Sequence, residues 1–215
     1  MNKPILYSFR RCPYAMRARM ALFLANIECE YREVILNNKP KQMLEISPKG
    51  TVPVMELENK VIDESLEIID WVLDSNSIFK DILDGNEIKV SSILINKFDN
   101  EFKYNLDRYK YAQRYENKNP LFHRENCMHI LRDLDLAIKG DWFYGNHIQK
   151  IDICILPFIR QFRIADTNWF DSLDEIKNVK KYLNFFLEST LLSSVMYKYK
   201  PWKEGDRALS FPITQ

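Results

Sequence analysis

Tyr7-Ser8-Phe9-Arg10-Arg11-Cys12-Pro13-Tyr14-Ala15-Met16-Arg17 is the stretch on which the fold turns. Before it, residues 4–9 form a short apolar run that reads as a strand over 5–9. After it, Met16, Met20, Phe23, Leu24 and Ile27 recur at three- and four-residue steps, predicting the buried face of a helix over 13–26. Pro13 suits the first helical position, where its missing N–H costs nothing. Cys12 then becomes the N-cap, facing unpaired backbone N–H groups and the positive end of the helix dipole. With Arg10, Arg11 and Arg17 close in sequence, that setting favours thiolate over thiol. Ala15 stands where a dithiol protein places its second cysteine, so an external thiol must resolve any mixed disulfide formed on Cys12. The competing reading is an ordinary packing cysteine.

Two further segments suit the same site. In Ser47-Pro48-Lys49-Gly50-Thr51-Val52-Pro53-Val54, Pro53 follows a loop and opens an apolar run. That is a strand start, where a missing N–H is tolerated and a cis Val-Pro bond is a candidate. Beside it, Val52 can offer backbone groups to an extended peptide. In Asp63-Glu64-Ser65-Leu66, the chain passes from a strand over 60–62 into a helix over 64–73. Ser65 and the neighbouring amides form an anion site at a helix N-terminus, and Glu64 suits an ammonium group. A ligand with a carboxylate, an amine, a central peptide and a thiol satisfies all three segments, and glutathione has all four.

On these motifs the first part of the chain resembles the thioredoxin-like domain of the cytosolic glutathione transferase superfamily. It is most similar to the cysteine-type, omega-like branch and related bacterial enzymes, which carry Cys-Pro-aromatic-Ala after the first strand. The resemblance assigns Cys12 as the mixed-disulfide cysteine. It gives Val52 and Pro53 the cysteinyl part of glutathione, and Glu64 and Ser65 the γ-glutamyl end. Lys39, in Asn37-Asn38-Lys39-Pro40, matches a lysine that reaches the glycyl carboxylate. It also implies glutathione as co-substrate, no metal, a small-molecule or protein-thiol acceptor, and a homodimer. Some branches activate glutathione with a tyrosine or serine on the first strand. Tyr7 and Ser8 stand there, and become the candidates if Cys12 is inert.

The resemblance implies an α/β thioredoxin-like domain over residues 1–76, a linker over 77–87 and an all-α domain over 88–215. The local patterns agree. The first part reads β-α-β-α-β-β-α, with further strands over 31–36 and 54–57 and a short helix over 41–46. Beyond the linker, three helical faces stand out and no strand pattern does. They are Ile95, Phe98, Phe102, Leu106 and Tyr109; Cys127, Ile130 or Leu131, Leu134 and Ile138; and Ile176, Val179, Leu183, Phe186 and Thr190. Asp152 matches the family's capping-box aspartate, a folding element, but the cap position holds Gln149, a poor N-cap. A weakly capped helix is therefore expected here, with a kink or a late start at Pro157.

Composition narrows the function classes. The 215 residues carry 31 Lys and Arg against 30 Asp and Glu, for a net charge of +1. Residues 1–80 hold eleven of each sign, so neither half is a polyelectrolyte suited to nucleic acid or an anionic membrane. The apolar run over 153–159 is far too short to span a bilayer, and the N-terminus opens without a signal-peptide pattern. Four scattered cysteines suit reduced thiols in a cytoplasmic setting. His123, His129 and His147 have no zinc spacing. The expected activity is thiol transfer or reduction through a Cys12–glutathione mixed disulfide. The alternatives are conjugation of glutathione to electrophiles, or a non-enzymatic binding role like that of the stringent starvation proteins.

Overall fold

Three of the four residues of β1 (Ile5–Ser8) are buried, and the strand is paired on both sides. In this computed structural model, which describes residues 3–116 and 119–213, β1 is the middle of a five-stranded sheet. The extreme ends of the two predicted domains lie outside the described residues. The order is β4-β3-β1-β2-β5. β2 (Cys29–Glu33) runs parallel to β1 after the crossover helix α1 (Pro13–Leu24). After α2 (Lys41–Ile46), β3 (Val54–Glu56) runs antiparallel to β1 and β4 (Val61–Ile62) antiparallel to β3. The helix α3 (Ser65–Ser75) follows and packs on α1. Each predicted element of this region is present, with ends moved by up to three residues.

The chain divides into two compact units, and the boundary differs from the predicted one. The first unit takes the described residues up to Ile78 and those from Glu188 onward; the second is Phe79–Leu187. The segment from Glu188 on, expected in the all-helical domain, thus belongs with the sheet. It carries α10 (Thr190–Val195) and β5 (Leu209–Phe211), the latter antiparallel to β2 with Cys29 opposite Phe211 and Tyr31 opposite Leu209. The Trp202 N–H donates to the Glu33 carbonyl at 2.9 Å, and the Tyr199 ring lies 4.2 Å from that of Tyr31. These contacts cover an edge of β2 that would otherwise present unpaired backbone groups. A three-residue strand is too short for a period of two to stand out, which is why the sequence hid it.

The second unit is helical among its described residues. α4 (Gly85–Lys97) starts inside the predicted linker because Asp84 caps it, accepting from the Glu87 N–H at 2.8 Å. A π-helical turn (Phe98–Phe102) then leads into α5 (Lys103–Lys110). It stacks Phe98 on Phe102 at 4.5 Å, both buried. After α6 (Pro120–Ala137) comes α7 (Lys150–Ala165), which runs through Pro157 rather than starting late. α8 (Thr167–Ser172) and α9 (Lys177–Leu187) complete the unit. Most of the predicted faces are core; Tyr109 and Ile138 are half-buried, and Thr190 is exposed in the other unit.

The start of α7 is closed, contrary to the weak cap expected of Gln149. The donors converge on Asp152 instead. Its carboxylate accepts from the N–H of Gln149 at 2.6 Å, the N–H of Phe143 at 2.8 Å and the hydroxyl of Tyr182 at 2.6 Å. Gln149 and Asp152 form a reciprocal capping box, while the Gln149 amide nitrogen donates to the Asp81 carbonyl at 3.2 Å.

Candidate active site

Cys12 occupies the N-cap of α1, with extended backbone and Pro13 in the first turn. Its Sγ lies 3.6 Å from the carbonyl oxygen of Val52, a weak donor meeting a good acceptor. The side chain is half-buried, packed against a cluster that includes Tyr7, Ala15, Val52 and Val54. Ala15 is fully buried. The remaining cysteines, Cys29, Cys127 and Cys154, are all buried. Burial pushes the Cys29 thiol up to about 12 and the Cys127 thiol higher still, which suppresses their thiolates.

The loop before β3 forms the second wall. The Val52–Pro53 peptide bond is cis. Ser47 and Gly50 close a turn, the Gly50 N–H donating to the Ser47 carbonyl at 3.0 Å, and Gly50 takes a left-handed φ of +61°. Lys39 lies over this glycine. A β-carbon at Gly50 would stand 3.7 Å from the lysine Nζ and 3.1 Å from Leu44 Cδ2.

The N-terminus of α3 forms the third wall. Ser65 is buried, and its Oγ is 3.5 Å from Nη1 of Arg17, which reaches it from α1. Glu64 is the N-cap residue, but its side chain makes no capping bond; instead it holds the Lys49 ammonium at 2.5 Å. Lys49 also reaches Asp63 at 3.1 Å, and Asp63 accepts from the Ser47 hydroxyl at 2.6 Å. That hydroxyl and Lys49 hold the Asp63 carboxyl below its ordinary range. The three predicted segments are thus bonded to one another: Cys12 to Val52, Arg17 to Ser65, and the Ser47–Lys49 turn to Asp63 and Glu64.

Tyr7 and Ser8 are engaged elsewhere. The Tyr7 hydroxyl accepts from Arg32 at 2.5 Å, and burial pushes its pKa up, away from a phenolate. Ser8 Oγ accepts from the buried Arg19 guanidinium at 2.5 Å.

Residues 6–77 match the family model of the glutathione S-transferase N-terminal domain. The omega-1 glutathione S-transferase of Rattus norvegicus is 25% identical over 206 residues, 93% of this chain and 83% of that protein. Residues 6–77 thus form a glutathione S-transferase N-terminal domain, and the chain as a whole is similar to cytosolic glutathione transferases. A probable maleylacetoacetate isomerase of Caenorhabditis elegans is 41% identical over 73 residues, spanning only 33% of this chain and 34% of that one. Among solved structures, glutathione transferase Omega 3C of Trametes versicolor superposes with a TM-score of 0.78 at 20% identity, over 94% of this chain and 92% of that one. A glutathione transferase family member from Pseudomonas fluorescens, solved with two glutathione bound, gives 0.77 at 17% identity, over 91% and 92%. These two likenesses establish the glutathione transferase fold.

Several residues of this site carry no signal of their role in the sequence. Arg19 is wholly buried and clamps the turn ahead of Cys12. It donates to the carbonyls of Phe9 at 3.3 Å and Arg10 at 2.7 Å, and to that of Val195 at 2.9 Å. Glu33 completes the clamp by accepting from the Arg10 N–H at 3.0 Å. In the sequence Arg17 reads only as a cation near Cys12, not as a partner of Ser65, and Lys49 carries no role of its own, since arginine and lysine are seldom buried or paired at fixed positions. The one available signal was that Arg17 and Arg19 fall among the buried methionines and alanines of α1. No helix among the described residues is long and apolar enough to cross a membrane.

Proposed function

We propose that this enzyme is an omega-like, glutathione-dependent thiol transferase in which Cys12 forms the mixed disulfide. The Cys12 thiolate attacks the glutathionyl sulfur of a mixed disulfide, R–S–S–G. The S–S bond breaks, RS⁻ leaves and takes up a proton, and Cys12–S–S–G remains. The thiolate of a second glutathione then attacks the glutathionyl sulfur of that bridge, and the Cys12 thiolate leaves. This releases oxidised glutathione and restores Cys12, so the net exchange is RSSG plus GSH to RSH plus GSSG. No second protein thiol is required, consistent with alanine at position 15.

The observation that carries this reading is the half-buried Cys12 thiol at a helix N-terminus, 3.6 Å from the Val52 carbonyl. In the proposed binding mode, Val52 and Pro53 border the cysteinyl unit, Glu64 and Ser65 take the γ-glutamyl end, and Lys39 takes the glycyl carboxylate. Intact-mass analysis after exposure to oxidised glutathione tests it. One glutathionyl adduct is expected, mapping to Cys12, with Cys29, Cys127 and Cys154 unmodified. Binding without an adduct would favour conjugation, and neither binding nor adduct would favour a non-enzymatic role. The rate of Cys12 alkylation should inflect below the free-cysteine value of about 8.5.

The same reading includes a homodimer. Tyr104 is 53% and Tyr111 37% exposed, and Trp71 is half-buried, more aromatic surface than a monomer needs. Light scattering at micromolar concentration should give twice 25.7 kDa. The monomer mass would reject the dimer and return Tyr104 and Tyr111 to an acceptor-substrate role.

A further inference from the structure

We infer that Lys49 sets the ligand selectivity of the site by standing in for the ligand's own ammonium group on Glu64. The inference rests on the proposed glutathione reading of Glu64 and adds a competitor to it.

Glu64 leads into α3 with its side chain 63% exposed, which is what an incoming cation requires. Its Oε1 is nevertheless held by Lys49 Nζ at 2.5 Å. The lysine arrives there by construction. The Ser47–Gly50 turn, with the left-handed Gly50, fixes the backbone on either side of it, and Ser47 is itself bonded to Asp63. Two adjacent carboxylates, Asp63 and Glu64, share this one ammonium.

A ligand ammonium reaching Glu64 therefore replaces an existing ion pair rather than meeting a bare carboxylate. Lys49 can yield at little cost, because Asp63 remains its partner at 3.1 Å. The ligand's amine thus gains only the difference between two similar pairs. Discrimination between glutathione and the same molecule lacking its α-amino group is small in the native chain. It grows when Lys49 loses its charge. An exposed pair is worth a roughly two- to fivefold change in affinity, which sets the size expected.

The test measures binding of reduced glutathione and of its deaminated form, glutaryl-cysteinylglycine, by calorimetry. The proteins are the native chain, Lys49→Met and Lys49→Arg. Lys49 is solvent-exposed, so neither substitution threatens folding. The ratio of the two dissociation constants is expected to rise roughly two- to fivefold in Lys49→Met and to stay at the native value in Lys49→Arg. The ratio cancels any general field that weakens both ligands alike. A native ratio already above about tenfold and unchanged in Lys49→Met would overturn the inference while leaving Glu64 as the ammonium site. Ratios near one in every protein would remove Glu64 from that role and the inference with it. Loss of glutathione affinity in Lys49→Met with no change in ratio would place Lys49 on a ligand carboxylate and also overturn it. Failure of the native chain to bind either ligand would reject the functional reading itself.

Discussion

Cys12→Ala is expected to reduce thiol transfer by at least about a thousandfold while leaving glutathione affinity within a few-fold of native. The asymmetry follows from where the contacts lie. The proposed binding surface is spread over Val52, Pro53, Glu64, Ser65 and Lys39, on a loop and a helix start that Cys12 does not build. The sulfur itself lies 3.6 Å from the Val52 carbonyl, a weak contact. Removing it costs a nucleophile and a small packing volume, not a wall of the site. No neighbour can replace it. The Tyr7 hydroxyl is bound to Arg32 in a position that disfavours the phenolate, and Ser8 Oγ is bound to the buried Arg19. Steady-state reduction of a glutathionylated peptide, with calorimetric titration of glutathione on the same protein, separates the two effects. A variant that kept full transfer would bring Tyr7 or Ser8 back as the activating group. A variant that lost glutathione binding altogether would mean the disulfide itself, not the surrounding surface, holds the ligand.

The parts of this site legible in the sequence share one property: each depends on local backbone chemistry. Pro13 after Cys12 marks a helix start, Pro53 after a glycine loop marks a strand start, and Glu64-Ser65 before an apolar period marks another helix start. The structure finds elements at all three places. What the sequence concealed depends on distance along the chain. Lys49 meets Glu64 across fifteen positions, Arg17 meets Ser65 across forty-eight, and Arg19 meets Val195 across one hundred and seventy-six. No periodicity records such pairings, and charged residues default to solvent when read one at a time. The return of the chain from Glu188 to the sheet was hidden for the same reason, since β5 acquires its strand character from β2. Gln149 was misleading in a different way. The propensity of its side chain is poor, but it pairs with Asp152 in a capping box, and Asp152 also holds the Phe143 N–H and the Tyr182 hydroxyl.

Asp152→Asn should lower stability by about 2–4 kcal/mol, because a buried acceptor of three bonds is replaced by a group with one acceptor and two donors. Oδ1 serves the Phe143 N–H and the Tyr182 hydroxyl, and Oδ2 serves the Gln149 N–H. An amide in the same place leaves either Gln149 or the Phe143–Tyr182 pair facing a donor. For a chain of this size that corresponds to a fall in Tm of roughly 5–15 °C. The effect carries a pH signature. Burial pushes the Asp152 carboxyl up to about 6 from its ordinary 3.8, outweighing the three donors that favour the charged form. Between those two values the folded state binds more protons than the unfolded state. This group's contribution to stability therefore falls as pH rises through the window and is flat above it. Asparagine has no such titration, so the stability gap between native and variant should narrow as pH rises from about 4 to about 7, by at most about 3 kcal/mol. Denaturant unfolding of both full-length proteins across that range measures the gap directly. A gap that widened with pH would mean that the three donors, not burial, govern the carboxyl. Its charge would then stabilise the start of α7 rather than being tolerated there.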